Sequence, residues 1–207
     1  MQSQSFYEQV MEVNIAIADS CNNPEILRQS ADAFNRLLVG SPNDWPIAFH
    51  HTLCLTRIAD LILKKDTASA LSNYLLAKEA LKRSDTLNIK QQENKILEAY
   101  LKIIELRFNK EKTRVNNIKL LETEIEELRK VAPSNPRLLS VYGYYYLIFY
   151  PLDKSKKPKT IELLKEACKH YAEQKPDGYY PAWGKKWNDE LLLKVNIKNC
   201  VNKSGQK

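Results

Sequence analysis

Glycine is scarce in this chain: Gly40, Gly143, Gly178, Gly184 and Gly205 are the only 5 in 207 residues, and they stand far apart. Phosphate-cradling loops and tightly turned sheets need clustered glycine, because a Cβ blocks close backbone approach and positive φ. Neither is expected here. No apolar run approaches the roughly 18 residues of a membrane span. The cysteines, Cys21, Cys54, Cys168 and Cys200, show no CxxC spacing, which argues against a zinc framework. HExxH, GxSxG, P-loop and dinucleotide fingerprints are all missing. His50 and His51 are neighbours on a helix and point about 100° apart, so they cannot share a metal. The chain reads as a protein that is not an enzyme and calls for no cofactor and no metal.

What it has in quantity is charge and amphipathic periodicity. The net charge of +7 is spread unevenly, with −4 over residues 1–60, +4 over 61–130 and +7 over 131–207. Lysine outnumbers arginine, whereas nucleic-acid grooves favour arginine's bidentate fork, so nucleic acid is not the expected partner. An electropositive surface for an anionic polymer or lipid stays open as an alternative. The run Glu122, Glu124, Glu126 and Glu127 reads as a solvated face.

Apolar spacing of three and four predicts helices over about 5–20, 24–40, 45–64, 68–84, 90–108, 112–132, 136–149, 159–173 and 184–195. Asn23-Pro24-Glu25 supplies an N-cap, a first-turn proline and an early acidic group, and Gly40 ends the helix that follows. Short connections between successive helices favour antiparallel hairpins stacked side by side. Ala70, Tyr74 and Ala77 follow the small-x3-aromatic-x2-small pattern of the second helix of a tetratricopeptide hairpin. Leu121, Ile125 and Leu128, then Thr160, Leu164 and Ala167, return to the same places. These sites are spaced wider than the roughly 34 residues of an ideal repeat, so the repeats are degenerate. The expected fold is all-α: an α-α superhelix (TPR-like solenoid) in a single domain over 1–207. It comprises a leading helix pair at 5–40, repeats at 45–84, 90–132 and 135–174, and a capping segment at 175–198.

Two aromatic groups stand out as candidate sites. In a hairpin of this type the groove-lining side of the helix after Pro136 holds Arg137, Ser140, Val141, Tyr144 and Ile148. Tyrosine offers large contact area at low entropic cost, and arginine clamps carboxylates. Tyr142 and Tyr146 would then pack inward, with Gly143 permitting close helix approach. Tyr179, Tyr180, Trp183 and Trp187 form the second group, read as a lid over the terminal repeat, with a stacking platform as the alternative.

Over most of its length the chain resembles a family of uncharacterised exported bacterial proteins with tetratricopeptide-like repeats. The likeness rests on Phe6-Tyr7-Glu8, on Ala31-Asp32-Ala33-Phe34-Asn35-Arg36 and on the Asn135-Pro136-Arg137 helix start with the tyrosines after it. It continues through Lys175-Pro176, Pro181-Ala182-Trp183-Gly184 and the Trp187–Leu193 helix. Members usually carry a glycine-rich insertion in the last repeat, where this chain has Leu152-Asp153-Lys154-Ser155-Lys156-Lys157. The resemblance implies an α-α superhelix and export, and no activity. Met1-Gln2-Ser3-Gln4-Ser5 reads as a terminus left after signal cleavage, with a cytosolic start as the alternative. In an exported protein, Cys168 and Cys200 are the candidate pair for a bridge. The expected function is a non-catalytic scaffold that docks a protein or peptide in the concave groove, with a structural homo-oligomer as the alternative.

Overall fold

The computed structural model describes residues 5–87, 89–108, 111–175 and 177–195. Among these the structure is all-helical, with no strand: α1 (Phe6–Ser20), α2 (Pro24–Gly40), α3 (Trp45–Ile62), α4 (Thr67–Thr86), α5 (Gln91–Phe108), α6 (Arg114–Val131), α7 (Pro136–Phe149), α8 (Lys157–Glu173) and α9 (Lys185–Lys194). The helix starts follow from local chemistry. Ser5 and Glu8 form a reciprocal capping box on α1, and Asn23, Asp44, Asp66 and Asn135 each accept backbone N–H bonds at the heads of α2, α3, α4 and α7.

Packing follows a two-layer rule. The backbones of the even helices lie against their neighbours in sequence, with side-chain pairs such as Arg129–Glu166 between α6 and α8, whereas α1, α3, α5, α7 and α9 also pack on one another in succession. This is consistent with a helical-repeat arrangement, the odd helices inside and the even ones outside. The inner layer does not stay open, because α9 also packs against α1. The end of α1 and the turn after its C-cap Cys21 are anchored from two sides: Arg57 donates to Ala18 O and to Asn22 Oδ1 (2.8 Å), and Asn22 donates to Glu190 of α9.

The helix α7 lies at the centre, with every residue from Pro136 to Tyr146 buried. A helix apolar on all sides must have neighbours on all sides, and α7 packs against α5, α6, α8 and α9. Gly143 sets the spacing to α8: a Cβ there would lie 2.5 Å from Leu164 Cδ2. Tyr142 and Tyr146 pack inward as expected, but their hydroxyls correct the reading of the glutamate run. Tyr142 donates to Glu126 (2.7 Å) and Tyr146 to Glu122 (2.6 Å), so these two carboxylates of α6 hold tyrosines as well as facing solvent.

Candidate functional site

The residues chosen from sequence for an open groove are not on an open surface. Arg137, Ser140, Val141 and Tyr144 are buried, and Ile148 is half-buried. Arg137 does clamp a carboxylate bidentately, but it is that of Glu93 on α5: Nε donates to Oε2 and Nη2 to Oε1, each at 2.7 Å. A third bond runs from Arg137 Nη1 to Gln174 at 3.0 Å. Ser140 donates to Asn188 of α9 (2.9 Å), and Asn188 in turn donates to Leu164 O (3.0 Å). Tyr144 donates to Asp60 Oδ1 (2.6 Å), Tyr100 to Asp60 Oδ2 (2.6 Å), and Arg107 donates to both Asp60 and the Tyr144 hydroxyl. Burial, reinforced by the Asp60 charge, pushes the phenols of Tyr100 and Tyr144 well above their ordinary range. They remain protonated donors in a satisfied network, which suits structure better than capture.

The occupant of this face is the chain's own C-terminal segment. Trp187 stacks on Tyr100 (ring centroids 4.9 Å apart) and meets Tyr144 edge-on at 5.1 Å. Trp183, 1% exposed, lies 6.2 Å from Tyr100 and nearly parallel to it. Tyr179 meets Tyr7 of α1, and Tyr180 lies against Trp45 and under Lys90. The two groups singled out from sequence are therefore brought together, each filling the other. Gly184 permits the turn into α9 with φ of 99°, and a Cβ there would strike the Tyr171 hydroxyl at 2.3 Å. Pro176 and residues 196–198 of the anticipated cap lie outside the described residues, as does Cys200. Cys168 is disulfide-bonded, while Cys21 and Cys54 are free.

A different face is open. Helices α2 and α4 both pack on α3 and stand apart above it, bridged at one end by Arg83, leaving a cleft of about 370 Å³ with α3 as its floor. The floor carries Ala48, His51 and Leu55. One wall presents Ala31 and Leu38 from α2, with Arg28 and Asp32 at its edge. The other presents Asn73, Leu76 and Ala80 from α4, ending at Arg83, which donates to Leu38 O (3.4 Å) and Pro42 O (3.2 Å). The α2 stripe from Arg28 to Leu38 runs about 15 Å along the helix.

Polar groups in this cleft are partly engaged by the fold: Arg83 holds two carbonyls and Arg28 lies 3.8 Å from Glu25. Asn73 is buried and donates to Ser69 O (2.7 Å), yet its Oδ1 has no partner. Leaving such an acceptor unpaired costs about 1–3 kcal/mol. The two histidines diverge as the helix geometry requires. His50 turns inward, between Phe34 and Phe49, with Nε2 at 3.0 Å from Tyr179 O. His51 turns into the cleft, where burial first and Arg83 second lower its pKa to about 4, with Asp32 opposing. Its imidazole is neutral at ordinary pH, and the described hydrogen bonds include none from it. These positions were missed in the sequence although a signal exists. Asn73, Leu76, Ala80 and Arg83 form a second stripe at helical spacing beside the Ala70–Tyr74–Ala77 core stripe, and Leu76 is 55% exposed.

No family model matches the chain, and no curated protein matches it. A search of solved structures bears on the fold. This chain is similar to the HusA haemophore from Porphyromonas gingivalis. The likeness covers 100% of this chain and 98% of that one, with a TM-score of 0.74 and 19% sequence identity. At this identity the likeness speaks for the fold alone. It spans the whole helical array, including the returning C-terminal segment.

Proposed function

We propose that the chain is a non-catalytic binding protein of exported type that takes up a small, largely apolar ligand in the α2–α3–α4 cleft, with haem as the first candidate. The observation that carries this reading is the contrast in occupancy. The inner face is filled by the chain's own Trp183 and Trp187, with its carboxylates, phenols and Arg137 engaged with one another, whereas the cleft is open, with the neutral imidazole of His51 on its floor and walls of mixed apolar and charged side chains. Its volume falls in the usual range for small-molecule sites, roughly 300–1,000 Å³. Haem enters because the fold is shared with a protein named as a haemophore. Of the lining, Leu76 offers exposed apolar contact, and Arg28 and Arg83 offer positive charge to carboxylates, with Asp32 and Glu79 beside them. The disulfide at Cys168 supports export, because disulfides persist in oxidising compartments.

In this reading the TPR-like superhelix is a rigid frame whose concave side is filled by its own C-terminal segment, and capture takes place between outer helices. A second reading, docking of a protein partner, is favoured by Leu71, Leu75 and Leu76, which leave an apolar strip on the outside of α4. Haem titration followed by absorbance separates the two. Wild type should bind with a shifted Soret band, and Ala80→Trp, which fills the cleft from its half-buried wall, should lose binding while melting as wild type does. Equal haem binding by both proteins would remove the cleft from the account.

A further inference from the structure

We propose that the α7–α8 connection and the outward face of α8 form a docking surface for an anionic lipid bilayer, on which lysines supply the attraction and Leu152 enters the interface. The kind of charge comes first. No arginine follows Arg137, so the positive charge beyond it is carried by lysine. Lysine is a compact point charge on a flexible stem and suits a diffuse anionic surface, whereas bidentate recognition favours arginine's planar fork. Two of these lysines are used by the fold: Lys156 and Lys159 turn to Glu122 (3.5 Å) and Glu126 (3.4 Å) and lie over the rings of Tyr146 and Tyr142. Lys154, Lys157, Lys165, Lys169 and Lys194 are exposed, and the described ion pairs include none of them. Lys157, Lys165 and Lys169 recur on one face of α8, a strip about 18 Å long. Lys154 and Lys157 line this strip and also the adjoining hollow beside Leu152 and Lys194, so the surface is continuous. Its acidic groups are few. Asp153 accepts from Ser155 N (2.8 Å) and Glu166 from Arg129 (2.9 Å), which leaves Glu162.

Leu152 decides between a lipid surface and a soluble polymer. It is 92% exposed, the most exposed large apolar side chain among the described residues, and it stands in the connection two positions before Lys154. An exposed leucine gains nothing from a hydrated polyanion. It is stabilised among acyl chains, while lysines beside it keep their charge at the headgroup level. The position of α8 also suits docking. Its backbone lies against α7 and α9 and not against α1, α2 or α3, which carry the acidic charge of residues 1–60. A bilayer on this face does not cover the α2–α3–α4 cleft, so the proposal stands apart from the identity of any ligand there.

The test is co-sedimentation of the full chain with vesicles of phosphatidylcholine alone and of phosphatidylcholine mixed with phosphatidylglycerol, beside binding to heparin as a soluble polyanion. Wild type should bind the mixed vesicles only, and binding should fall as salt rises above about 0.1 M, where the Debye length is ~10 Å. The double variant Lys165→Ala/Lys169→Ala removes two exposed cations and should weaken vesicle binding about tenfold or more. Leu152→Ser keeps the charge and lies outside the helices; it should weaken vesicle binding about fivefold or more and leave heparin binding unchanged. Both variants change exposed side chains and should melt as wild type does, which separates lost docking from lost fold. Equal binding to neutral and mixed vesicles, or binding to neither, would overturn the proposal. So would vesicle binding that Leu152→Ser leaves untouched, which would make this a surface for anionic polymers instead.

Discussion

The inner face of α7 and the cleft above α3 are built from the same materials, aromatic or apolar walls with a few polar side chains, and they come to opposite ends. On the inner face each charged group named has found a partner from another helix: Arg137 has Glu93, and Asp60 has Tyr100, Tyr144 and Arg107. In the cleft, Asn73 Oδ1 has no partner and His51 shows no hydrogen bond. Aromatic density marks where this chain holds itself together, and the gap between α2 and α4 marks where it has room for something else. The difference arises from α9, which returns to the inner layer and reaches α1, whereas among the described residues no helix lies between α2 and α4.

This contrast is sharpest under substitution. The largest effect is expected from Glu93→Ala, which strands the buried Arg137 guanidinium. Breaking a buried pair of this kind costs about 3–5 kcal/mol, readable as a lower urea midpoint, with ligand affinity of the folded fraction unchanged. Tyr144→Phe removes one of the donors to Asp60 and should cost about 1–3 kcal/mol by the same measurement. Gly143→Ala pushes a methyl into Leu164 and should cost about 1–3 kcal/mol, nearer the low end because the Leu164 side chain can shift.

The most gradual effect is a change in pH dependence. Burial raises the Asp19 pKa from 3.8 to about 7 against the opposing pull of Arg57 and Arg137. Between about pH 4 and 7 the folded protein therefore holds a proton that the unfolded chain has released, and stability from this group falls as pH rises through that window. His50 and His51, lowered from 6.5 to about 4, work in the other direction and lose stability as pH falls. Asp19→Asn removes the first contribution, so acid unfolding should steepen, by up to roughly 1.4 kcal/mol per pH unit, and stability at pH 8 should rise. Melting temperatures measured from pH 4 to 8 read both changes.

How much of this was legible in the chain depends on the range of the cause. Asn23-Pro24, Asn135-Pro136 and Gly40 act within one turn, and the helices begin and end within a few residues of where those signals put them. Gly143 against Leu164 was also legible, since it follows from the pairing of neighbouring helices. The burial of Tyr144 was not, because it depends on Asp60, 84 positions away, and on the return of Trp187. Arg137 was expected to clamp an external carboxylate and is instead bonded to Glu93, since nothing local in Glu93 marks it as the partner. The cleft was missed for a related reason. The divergence of His50 and His51 shows that one of them leaves the core, but only the gap between α2 and α4 shows what it faces.

The central claim, that capture takes place in the outer cleft and not on the inner face, is tested most directly by mapping amide chemical-shift changes as metal-free protoporphyrin or haem is added. The account predicts perturbations centred on Ala31–Leu38, Ala48–Leu55 and Asn73–Arg83, with α7 and α9 unchanged. Changes centred on Arg137–Ile148 and Trp183–Trp187, with the cleft silent, would contradict it.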